Sequence, residues 1–428
     1  MIKSIILAAG KGTRMKSESP KVLHTIFDKT LVDYVIDAVN GTSLIDENFV
    51  IVGHQAELVE NHIKNKHNNT HCVLQSPQLG TGHAVSMVLP YLKEFSGEVI
   101  ILCGDTPLIT SETLKDFLNF HKERNSDLTV MSAVFDNPTN YGRIIRNTNN
   151  TLNSIIEEKD ATEEQKKIKE VNAGIYCLNW AKIKPAFSQL KTNNAQGEYY
   201  LTDIIKWANE ENLLVNAYIL QNNEEIYGIN SKAHLAEASK LLNKRIIQNH
   251  LDNGVQIVDP NTTWISPDTK IGADTIIYPS CYINGKNNIG KNCKIGPFAH
   301  IRGDVVLEDN VKIGNFVEVK KSIIKSNTNA CHLSYVGDST VGSNVNIGAG
   351  TITANYNPLT KEKSQTTIGN DVKIGSNSVL VAPVEIEDGA NVAALSVITK
   401  NIPAWSLAIT RAPLKVLDNW VKKFINKA

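Results

Sequence analysis

The sequence predicts two domains of different classes: an α/β domain with a Rossmann-like, mostly parallel sheet, and a left-handed parallel β-helix of hexapeptide repeats. Up to about residue 229, short aliphatic runs alternate with stretches of helical periodicity, which indicates strands followed by helices. From Ile265 onward, an aliphatic residue returns at every sixth position. Neither a helix nor an alternating strand requires that period, whereas a three-sided solenoid with one hexad per face does.

Length, charge and cysteine usage define the broad class of the protein. Its 428 residues exceed one ordinary core, and we expect an α/β domain at 1–229, a linker helix at 230–253 and a β-helix at 254–428. The 44 basic residues balance the 44 acidic ones, which gives no indication of a nucleic-acid or membrane-surface partner. No apolar run approaches the ~20 residues that span a bilayer, and no cleavable signal is evident, so we expect a cytoplasmic protein. The six cysteines lack paired metal-type spacing and are expected to be reduced thiols.

The first domain places its candidate loops at one edge of the predicted sheet. Aliphatic runs at 5–7, 49–52 and 99–102 each lead into glycine-containing loops. Ligands of parallel sheets bind beyond the carboxyl ends of the strands, so these loops are the first candidates for a site.

The first of these loops reads LAAGKGTRM at residues 7–15, followed by Pro20 and Lys21. Small residues let the backbone amides cradle phosphate oxygens, and Arg14 and Lys21 add positive charge. The loop is neither a Walker pattern nor a dinucleotide fingerprint. A plain tight turn is the alternative, but the two following cations favour phosphate binding.

Asp105 follows the aliphatic run at 99–102 and is a candidate metal ligand. A carboxylate at a strand end can hold Mg²⁺, which commonly takes one or two protein ligands together with phosphates and waters. A simple capping aspartate is the alternative, and the context before Thr106 and Pro107 favours the metal.

In the second domain the repeat is strict, slips twice, breaks and resumes. The inward positions are Ile265, Ile271, Ile277, Ile283, Ile289, Ile295, Ile301, Leu307, Ile313 and Val319, then Ile324, Ala330, Val336, Val341 and Ile347, and finally Ile368, Ile374, Leu380, Ile386, Val392 and Ile398. Polar residues capable of chemistry gather at the slips and the break, so we expect the function of this domain there.

His332 lies in this irregular region and is the best general-base candidate in the chain. An amine nucleophile must lose a proton to form an amide, and histidine titrates near neutrality. A lone histidine in a solenoid turn is more often a surface residue. Here, however, stacked coils can bring residues about 18 apart together, and Asn346 and Asn355 fall within that reach.

The motif LAAGKGTRM followed by Pro20-Lys21 resembles the sugar-nucleotide pyrophosphorylase family. With the hexapeptide repeats, the whole chain is similar to bifunctional N-acetylglucosamine-1-phosphate uridylyltransferases and glucosamine-1-phosphate N-acetyltransferases. The resemblance implies acetyl transfer from acetyl-CoA to glucosamine 1-phosphate. It then implies uridylyl transfer from UTP to N-acetylglucosamine 1-phosphate, with Mg²⁺ as cofactor. It also implies a homotrimer that supplies bacterial cell-wall and outer-envelope precursors.

The resemblance assigns roles in the nucleotidyltransferase domain residue by residue. Arg14 and Lys21 are the catalytic cations, Gln75 reads the uracil, and Asp105 with Asn230 holds Mg²⁺. The full set of expected contacts to UTP or UDP-N-acetylglucosamine is Leu7, Ala8, Ala9, Gly10, Lys21, Gln75, Gly80, Thr81, Asp105, Gly142, Glu157, Asn172 and Asn230.

In the β-helix the resemblance makes His332 the base, with Glu318 and Asn355 orienting or polarising it. Expected contacts to glucosamine 1-phosphate are Arg302, Lys320, Tyr335, Asn346 and Lys361. Expected contacts to acetyl-CoA are Asn355, Tyr356, Ser376, Ala394 and Arg411. The polar loop from Asn355 to about Thr367 is expected to reach a neighbouring subunit.

This sequence departs from the family pattern at a few positions. Ala173 replaces a small hydroxyl residue near the sugar site, and Cys331 replaces a glycine beside His332. Two alternatives therefore stay open. One is a uridylyltransferase whose β-helix serves only as a trimerisation scaffold. The other is a non-catalytic solenoid with a nucleotide-sensing head.

Overall fold

The structure is a computed structural model that describes residues 1–425. The chain divides into two compact units, Met1–Leu241 and the part from Leu242 onward. None of the helices among the described residues combines the length and apolarity needed to cross a membrane.

The first unit is an α/β unit. Its strands are β1 Ile2–Leu7, β2 Thr25–Ile26, β3 Lys29–Thr30, β4 Glu47–Val52, β5 Thr70–Leu74, β6 Glu98–Cys103, β7 Leu128–Val134, β8 Arg143–Arg146, β9 Leu152–Ile156, β10 Glu170–Asn179 and β11 Val215–Ile219. Its helices are α1 Leu31–Gly41, α2 Ala56–Lys64, α3 Thr81–Ser86, α4 Ser111–Glu123, α5 Glu163–Lys166, α6 Trp180–Ile183 and α7 Asp203–Glu210. Short 3₁₀ turns lie at Thr13–Met15, Lys21–Leu23, Lys184–Ser188 and Asn223–Ile226.

The main sheet has the order β11-β7-β10-β6-β1-β4-β5 and is mixed but mostly parallel. Strand β1 pairs in parallel with both β4 and β6, and β4 pairs in parallel with β5. Strand β10 runs antiparallel to β6 and β7, and the β8–β9 pair extends from it. The carboxyl ends of β1, β4 and β6 therefore share one edge, and their following loops meet there.

Two apolar clusters cover the two faces of this sheet. Neighbouring residues of one strand point to opposite faces, so Ile5 and Ile101 belong to one cluster while Ile6 and Ile100 belong to the other. Helices α1, α2 and α4 contribute to the second cluster through buried residues such as Val35, and α3 and α7 contribute to the first. This burial on both faces explains the continuous aliphatic runs of the central strands.

The long helix α8, Lys232–Asp252, ends where Gly254 adopts φ +84° and donates its N–H to the carbonyl of Leu251 at 3.0 Å. A glycine tolerates this left-handed conformation at a helix end without steric cost. The sequence predicts a linker helix at 230–253, and the boundary between the two compact units, at Leu241 and Leu242, falls inside α8. Within the second unit, Ile247 of this helix joins the β-helix core.

The second unit is a parallel β-helix with three strand faces. The first face contains Gln256–Ile257, Ile276–Ile277, Lys294–Ile295, Lys312–Asn315, Asn329–His332, Asn346–Ile347, Lys373–Ile374, Asn391–Val392 and Leu407–Ala408. The second contains Trp264–Ile265, Tyr282–Asn284, His300–Arg302, Glu318–Lys320, Tyr335–Gly337, Ile352–Ala354, Val379–Val381 and Val397–Ile398. The third contains Lys270–Ile271, Asn287–Ile289, Val305–Leu307, Ile323–Ile324, Ser339–Val341, Thr366–Ile368 and Val384–Ile386. A short helix, α9, spans Lys422–Ile425.

Strand registers explain the slips in the repeat. Ile265 pairs with Ile283, an offset of 18 residues, whereas Ile324 pairs with Val341, an offset of 17. Each slip is therefore a coil shortened by one residue. The break corresponds to a single long coil, because Val341 pairs with Ile368. The predicted inward side chains form one continuous core, with Ile271 only partly buried.

Candidate active sites

The glycine loop after β1 lies between the ends of β4 and β6. The N–H of Ala8 donates to the carbonyl of Ile51, and the N–H of Gly104 donates to the carbonyl of Leu7, both at 2.9 Å. Gly12 has φ +59°, and a Cβ there would lie 2.7 Å from the Cβ of Lys21. Glycine at position 12 is therefore what allows the Lys21 side chain to approach the loop.

A cavity of about 530 Å³ opens beside this loop. The predicted residues that line it are Leu7, Ala8, Ala9, Gly10, Lys21, Gln75, Gly80, Thr81 and Asp105. Gln78 also lines it, as do Cys103 and Glu198, which were not predicted. Predicted residue Arg14 is exposed on the 3₁₀ turn Thr13–Met15 and does not line this cavity.

Hydrogen bonds within the segment 75–82 and to the neighbouring residues 199–201 fix its conformation. The buried Gln75 amide donates to the carbonyl of Gly80 at 2.9 Å, and Thr81 begins α3 while its hydroxyl accepts the N–H of Leu201 at 3.0 Å. The Thr81 side chain is therefore not the helix cap, which is Gly80. Gly80 has φ +111°, and a Cβ there would lie 2.6 Å from the carbonyl oxygen of Tyr199. Only glycine fits this position.

Lys21, Asp105 and Asn230 converge at the edge of the cavity. The Lys21 ammonium forms a salt bridge with the Asp105 carboxylate and donates to Oδ1 of Asn230 at 3.0 Å. Asn230 is brought there because the N–H of Ile229 donates to the carbonyl of Asp105 at 2.9 Å. The two side-chain oxygens thus point at one shared cation position. A carboxylate and an amide oxygen are ligands suited to Mg²⁺, so these residues fit the metal.

The predicted sugar contacts Gly142, Glu157 and Asn172 form a second group of residues that lie close to one another in the fold. The N–H of Asn172 donates to the carbonyl of Gly142 at 2.9 Å, and a Cβ at Gly142 would lie 3.4 Å from Oε2 of Glu157. Burial raises the pKa of Glu157, and neighbouring carboxylates raise it further against a hydrogen bond from Thr202. Burial likewise raises the pKa of Cys103 to about 12, with Asp105 adding to the shift. The Cys103 thiol is therefore a neutral wall of the cavity.

In the β-helix, His332 ends the strand Asn329–His332 with an exposed side chain. Its Nδ1 atom lies 3.2 Å from Oδ1 of Asn315, its register partner on the preceding coil. Gly314 makes this approach possible, because a Cβ there would lie 1.8 Å from the carbonyl oxygen of Cys331. Asn315 was not predicted, and the only sequence signal for it is its position 17 residues before the histidine.

The predicted partners of His332 make other contacts within this chain. Glu318 Oε1 accepts from Nη1 of Arg302 at 2.9 Å. Asn355 is buried and donates to the Tyr335 hydroxyl at 3.3 Å and to the Asp338 carboxylate. The structure therefore pairs Glu318 with Arg302 and Asn355 with Tyr335. The side-chain hydrogen bond of His332 is to Asn315 instead.

The break in the repeat is a hairpin-like loop. The N–H of Ser364 donates to the carbonyl of Asn355, and the N–H of Asn357 donates to the carbonyl of Glu362, both at 2.9 Å. Between these bonds, the backbones of Tyr356 and Lys363 form an isolated antiparallel β-bridge. Predicted residue Lys361 lies at the turn with φ +60°.

Lys363 approaches the side chain of Lys320 and was not predicted. Burial lowers the pKa of Lys320, and Lys363 and Arg302 lower it further through hydrogen-bond and charge effects. The Asp338 carboxylate opposes this shift, and Arg302 is paired with Glu318. A cluster of two lysines and an arginine is nevertheless suited to an anion, because a bound phosphate would relieve the repulsion between the cations.

The predicted coenzyme contacts lie on successive coils. Arg411 Nη1 donates to the carbonyl of Ala394 at 3.0 Å, and the N–H of Leu395 donates to the carbonyl of Ser376 at 2.8 Å. Arg411 and Tyr356 are exposed, as is Asn346 on the strand that follows His332 on the same face.

Comparisons with known proteins cover both halves of the chain. The nucleotidyl transferase family model matches residues 3–243, and the bacterial transferase hexapeptide model matches 288–321 and 365–400. A bifunctional protein GlmU from Thermoanaerobacter pseudethanolicus is 45% identical over 99% of this chain and 98% of its own length. Relatives of the same name from Acetivibrio thermocellus and Clostridioides difficile are each 42% identical, over 99% and 98% of this chain and 97% of their own lengths.

This chain belongs to the GlmU family. It is accordingly a bifunctional transferase, with acetyltransferase and uridylyltransferase activities in the synthesis of UDP-N-acetylglucosamine. The similarity extends over both units, so the alternative of a GlmU-like uridylyltransferase with a purely scaffolding β-helix is not favoured.

Proposed function

We propose that the glycine-loop cavity carries out uridylyl transfer and that the surface around His332 carries out acetyl transfer. The observation that best supports the first assignment is the convergence of Lys21, Asp105 and Asn230 from three separate segments of the chain. For the second it is the hydrogen bond that fixes one ring nitrogen of His332.

In uridylyl transfer, a phosphate oxygen of N-acetylglucosamine 1-phosphate attacks the α-phosphorus of UTP. A new P–O bond forms, and the bond to pyrophosphate breaks with its electrons passing to the leaving group. The attacking phosphate is already anionic, so no general base is required. The backbone of residues 7–10 cradles the triphosphate, and Lys21 offsets its charge. Arg14, on the adjoining turn, would have to swing toward the cavity to contribute its charge as well.

The remaining residues of the first site select the substrates. Gln75, Gly80 and Thr81 hold the uracil, and the group Gly142, Glu157 and Asn172 holds the acetylated sugar. Asp105 and Asn230 would hold Mg²⁺, which supplies charge neutralisation on the phosphates when bound.

In acetyl transfer, the 2-amino nitrogen of glucosamine 1-phosphate attacks the thioester carbonyl of acetyl-CoA. His332 takes the amine proton at Nε2, the C–N bond forms, and the C–S bond breaks to release coenzyme A as its thiol after proton uptake. Asn315 accepts from Nδ1, which leaves Nε2 free to receive that proton.

The other polar residues of the β-helix bind the two substrates. Arg302, Lys320 and Lys363 provide the phosphate subsite, with Tyr335, Asn346 and Lys361 as further sugar-phosphate contacts. Asn355 and Tyr356, with Ser376, Ala394 and Arg411, hold acetyl-CoA. Glu318 acts on the site through Arg302. We further propose that the protein assembles as a homotrimer and works in the cytoplasm, and that the 355–367 loop reaches a neighbouring subunit.

The experiment that tests this function follows thiol and pyrophosphate release together. Purified protein with glucosamine 1-phosphate, acetyl-CoA, UTP and Mg²⁺ is expected to release thiol first and pyrophosphate second. Omitting acetyl-CoA should abolish both signals, and supplying N-acetylglucosamine 1-phosphate should restore pyrophosphate alone. Pyrophosphate release that depends on neither Mg²⁺ nor a sugar phosphate would refute the proposal.

A further inference from the structure

The ammonium of Lys21 occupies the position at which the oxygens of Asp105 and Asn230 converge. It bonds to the Asp105 carboxylate and lies 3.0 Å from Oδ1 of Asn230. The Lys21 and Asp105 side chains are only 14% and 18% exposed, so this is a sheltered ion pair rather than a surface one.

The same lysine lies within reach of the glycine loop. Lys21 begins a short 3₁₀ turn after Pro20, and its Cβ packs against Gly12. Lys21 and the residues of the glycine loop line a single cavity. Rotation of the flexible four-carbon side chain can therefore move the charge from the Asp105 carboxylate to a phosphate bound at the loop.

We propose that Lys21 acts as a displaceable substitute for the divalent cation. Without nucleotide its ammonium satisfies Asp105 and Asn230, and a bound triphosphate attracts it away and exposes both oxygens to the metal. An ammonium and a divalent ion cannot share these two oxygens, because they repel each other at contact distance. Nucleotide and metal binding are then coupled, and each raises the affinity for the other by the same factor.

This inference rests on the proposed metal site, and it makes a prediction that does not involve catalysis. Removing the ammonium should make the cation site available without nucleotide. Mn²⁺ replaces Mg²⁺ as the probe, because the electron paramagnetic resonance signal of unbound Mn²⁺ reports binding directly. The full-length protein is titrated in the absence of nucleotide and sugar.

Lys21→Met is expected to bind Mn²⁺ at least roughly tenfold more tightly than the unaltered protein. Lys11→Met is the matched control, since Lys11 lines the same cavity and also carries one positive charge. The control is expected to change the affinity by less than about threefold, because it alters only the general field. Lys21→Gln serves as a second variant if Lys21→Met does not fold.

The possible outcomes distinguish a failure of the proposed role of Lys21 from a failure of the metal site. Unchanged or weaker Mn²⁺ binding in both Lys21 variants would overturn the proposal that the Lys21 ammonium takes the place of the divalent cation. Equal gains in the Lys21 and Lys11 variants would overturn it as well. Adding Asp105→Asn to Lys21→Met should abolish the gain. If Mn²⁺ binding with UTP present is also unaffected by Asp105→Asn, the proposed metal site itself is wrong.

Discussion

The Nδ1 atom of His332 lies 3.2 Å from the Oδ1 atom of Asn315, across two neighbouring strands of the β-helix. An amide oxygen can only accept, so this contact selects the imidazole tautomer with the proton on Nδ1. The lone pair of Nε2 is then available for a substrate proton. Asn315 is therefore a positioning residue for the proposed base.

Replacing Asn315 tests that role. Asn315→Ala should lower kcat for acetyl transfer by about tenfold, because the tautomer is no longer fixed. Asn315→Asp keeps an acceptor and should restore much of the rate, while moving the acid limb of the pH–rate profile to higher pH. Asn288→Ala, at an exposed position on another coil, is the control. A profile that does not move in Asn315→Asp would contradict the assignment.

Lys363 is predicted to contribute more to the phosphate subsite than Lys361. Lys363→Ala should raise KM for glucosamine 1-phosphate by about tenfold, because a charge-assisted hydrogen bond is lost. Lys361→Ala should raise it less than about threefold. The pKa of Lys320 is lowered by burial and by Lys363. KM in the unaltered protein should therefore rise as pH rises through that lowered pKa. Steady-state kinetics of both variants decide the comparison, and equal effects would contradict it.

Asp33 of α1 bonds to side chains in α2 and just after it, and it is predicted to stabilise the first unit. Its fully buried carboxylate accepts from His62 at 2.9 Å, Lys66 at 2.6 Å and His67 at 2.9 Å. Burial alone raises the pKa of Asp33, but these hydrogen bonds outweigh it and hold the pKa well below its usual range. We expect Asp33→Asn to lower the free energy of unfolding by about 2 kcal/mol at pH 7.

The pH dependence of that difference follows from the sign of the pKa shift. A depressed carboxyl pKa stabilises the fold above the unfolded value of about 3.9, and the stabilisation is lost as pH falls below it. The difference between the two proteins in urea unfolding should persist at pH 5 and shrink below about pH 4. Asp136→Asn, in an exposed pair with Lys169, is the control and should leave the free energy of unfolding nearly unchanged at both pH values. A difference that grows below pH 4 would contradict this account.

Gly80→Ala is predicted to damage the uracil end of the cavity. The new Cβ would lie 2.6 Å from the Tyr199 carbonyl oxygen, and the backbone has φ +111°. We expect a loss of about 2 kcal/mol in stability and a rise of roughly tenfold in KM for UTP. Gly197→Ala is the matched control, because its φ is also positive while nothing lies within 4 Å of its Cβ. Similar effects in both variants would show that backbone strain, not crowding, is responsible.

The architecture of the β-helix could be predicted from the sequence because each coil face places one aliphatic side chain in the core, so the period of six is visible in the residue types. Ile265, Ile324 and Ile368 all enter one core despite the slips between them. Sequence reasoning did not predict the direction of β10, since an aliphatic run carries no information on whether a strand runs parallel or antiparallel to its neighbour.

The same reasoning assembled most of the first site and less of the second. Residues 7–10 and Asp105 follow adjacent strands, so the topology alone brings them together. The partner of His332 depends on a coil shortened by one residue, and the contact of Lys363 depends on a hairpin within a long coil. The slip at Ile324 does show the shortened coil, but it does not show that the side chain of Asn315 meets His332, and the residue types do not specify the hairpin. The bridging position of Lys21 likewise requires side-chain coordinates.

The central claim is that one chain carries two separate active sites, and reciprocal loss of the two activities tests it most directly. Thiol and pyrophosphate release are measured for His332→Ala and Asp105→Asn, each checked for folding by circular dichroism. His332→Ala should lose at least about 100-fold in thiol release, while pyrophosphate release from N-acetylglucosamine 1-phosphate stays within about twofold. Asp105→Asn should show the reverse pattern. Loss of both activities in either folded variant, or thiol release that survives in His332→Ala, would contradict the account.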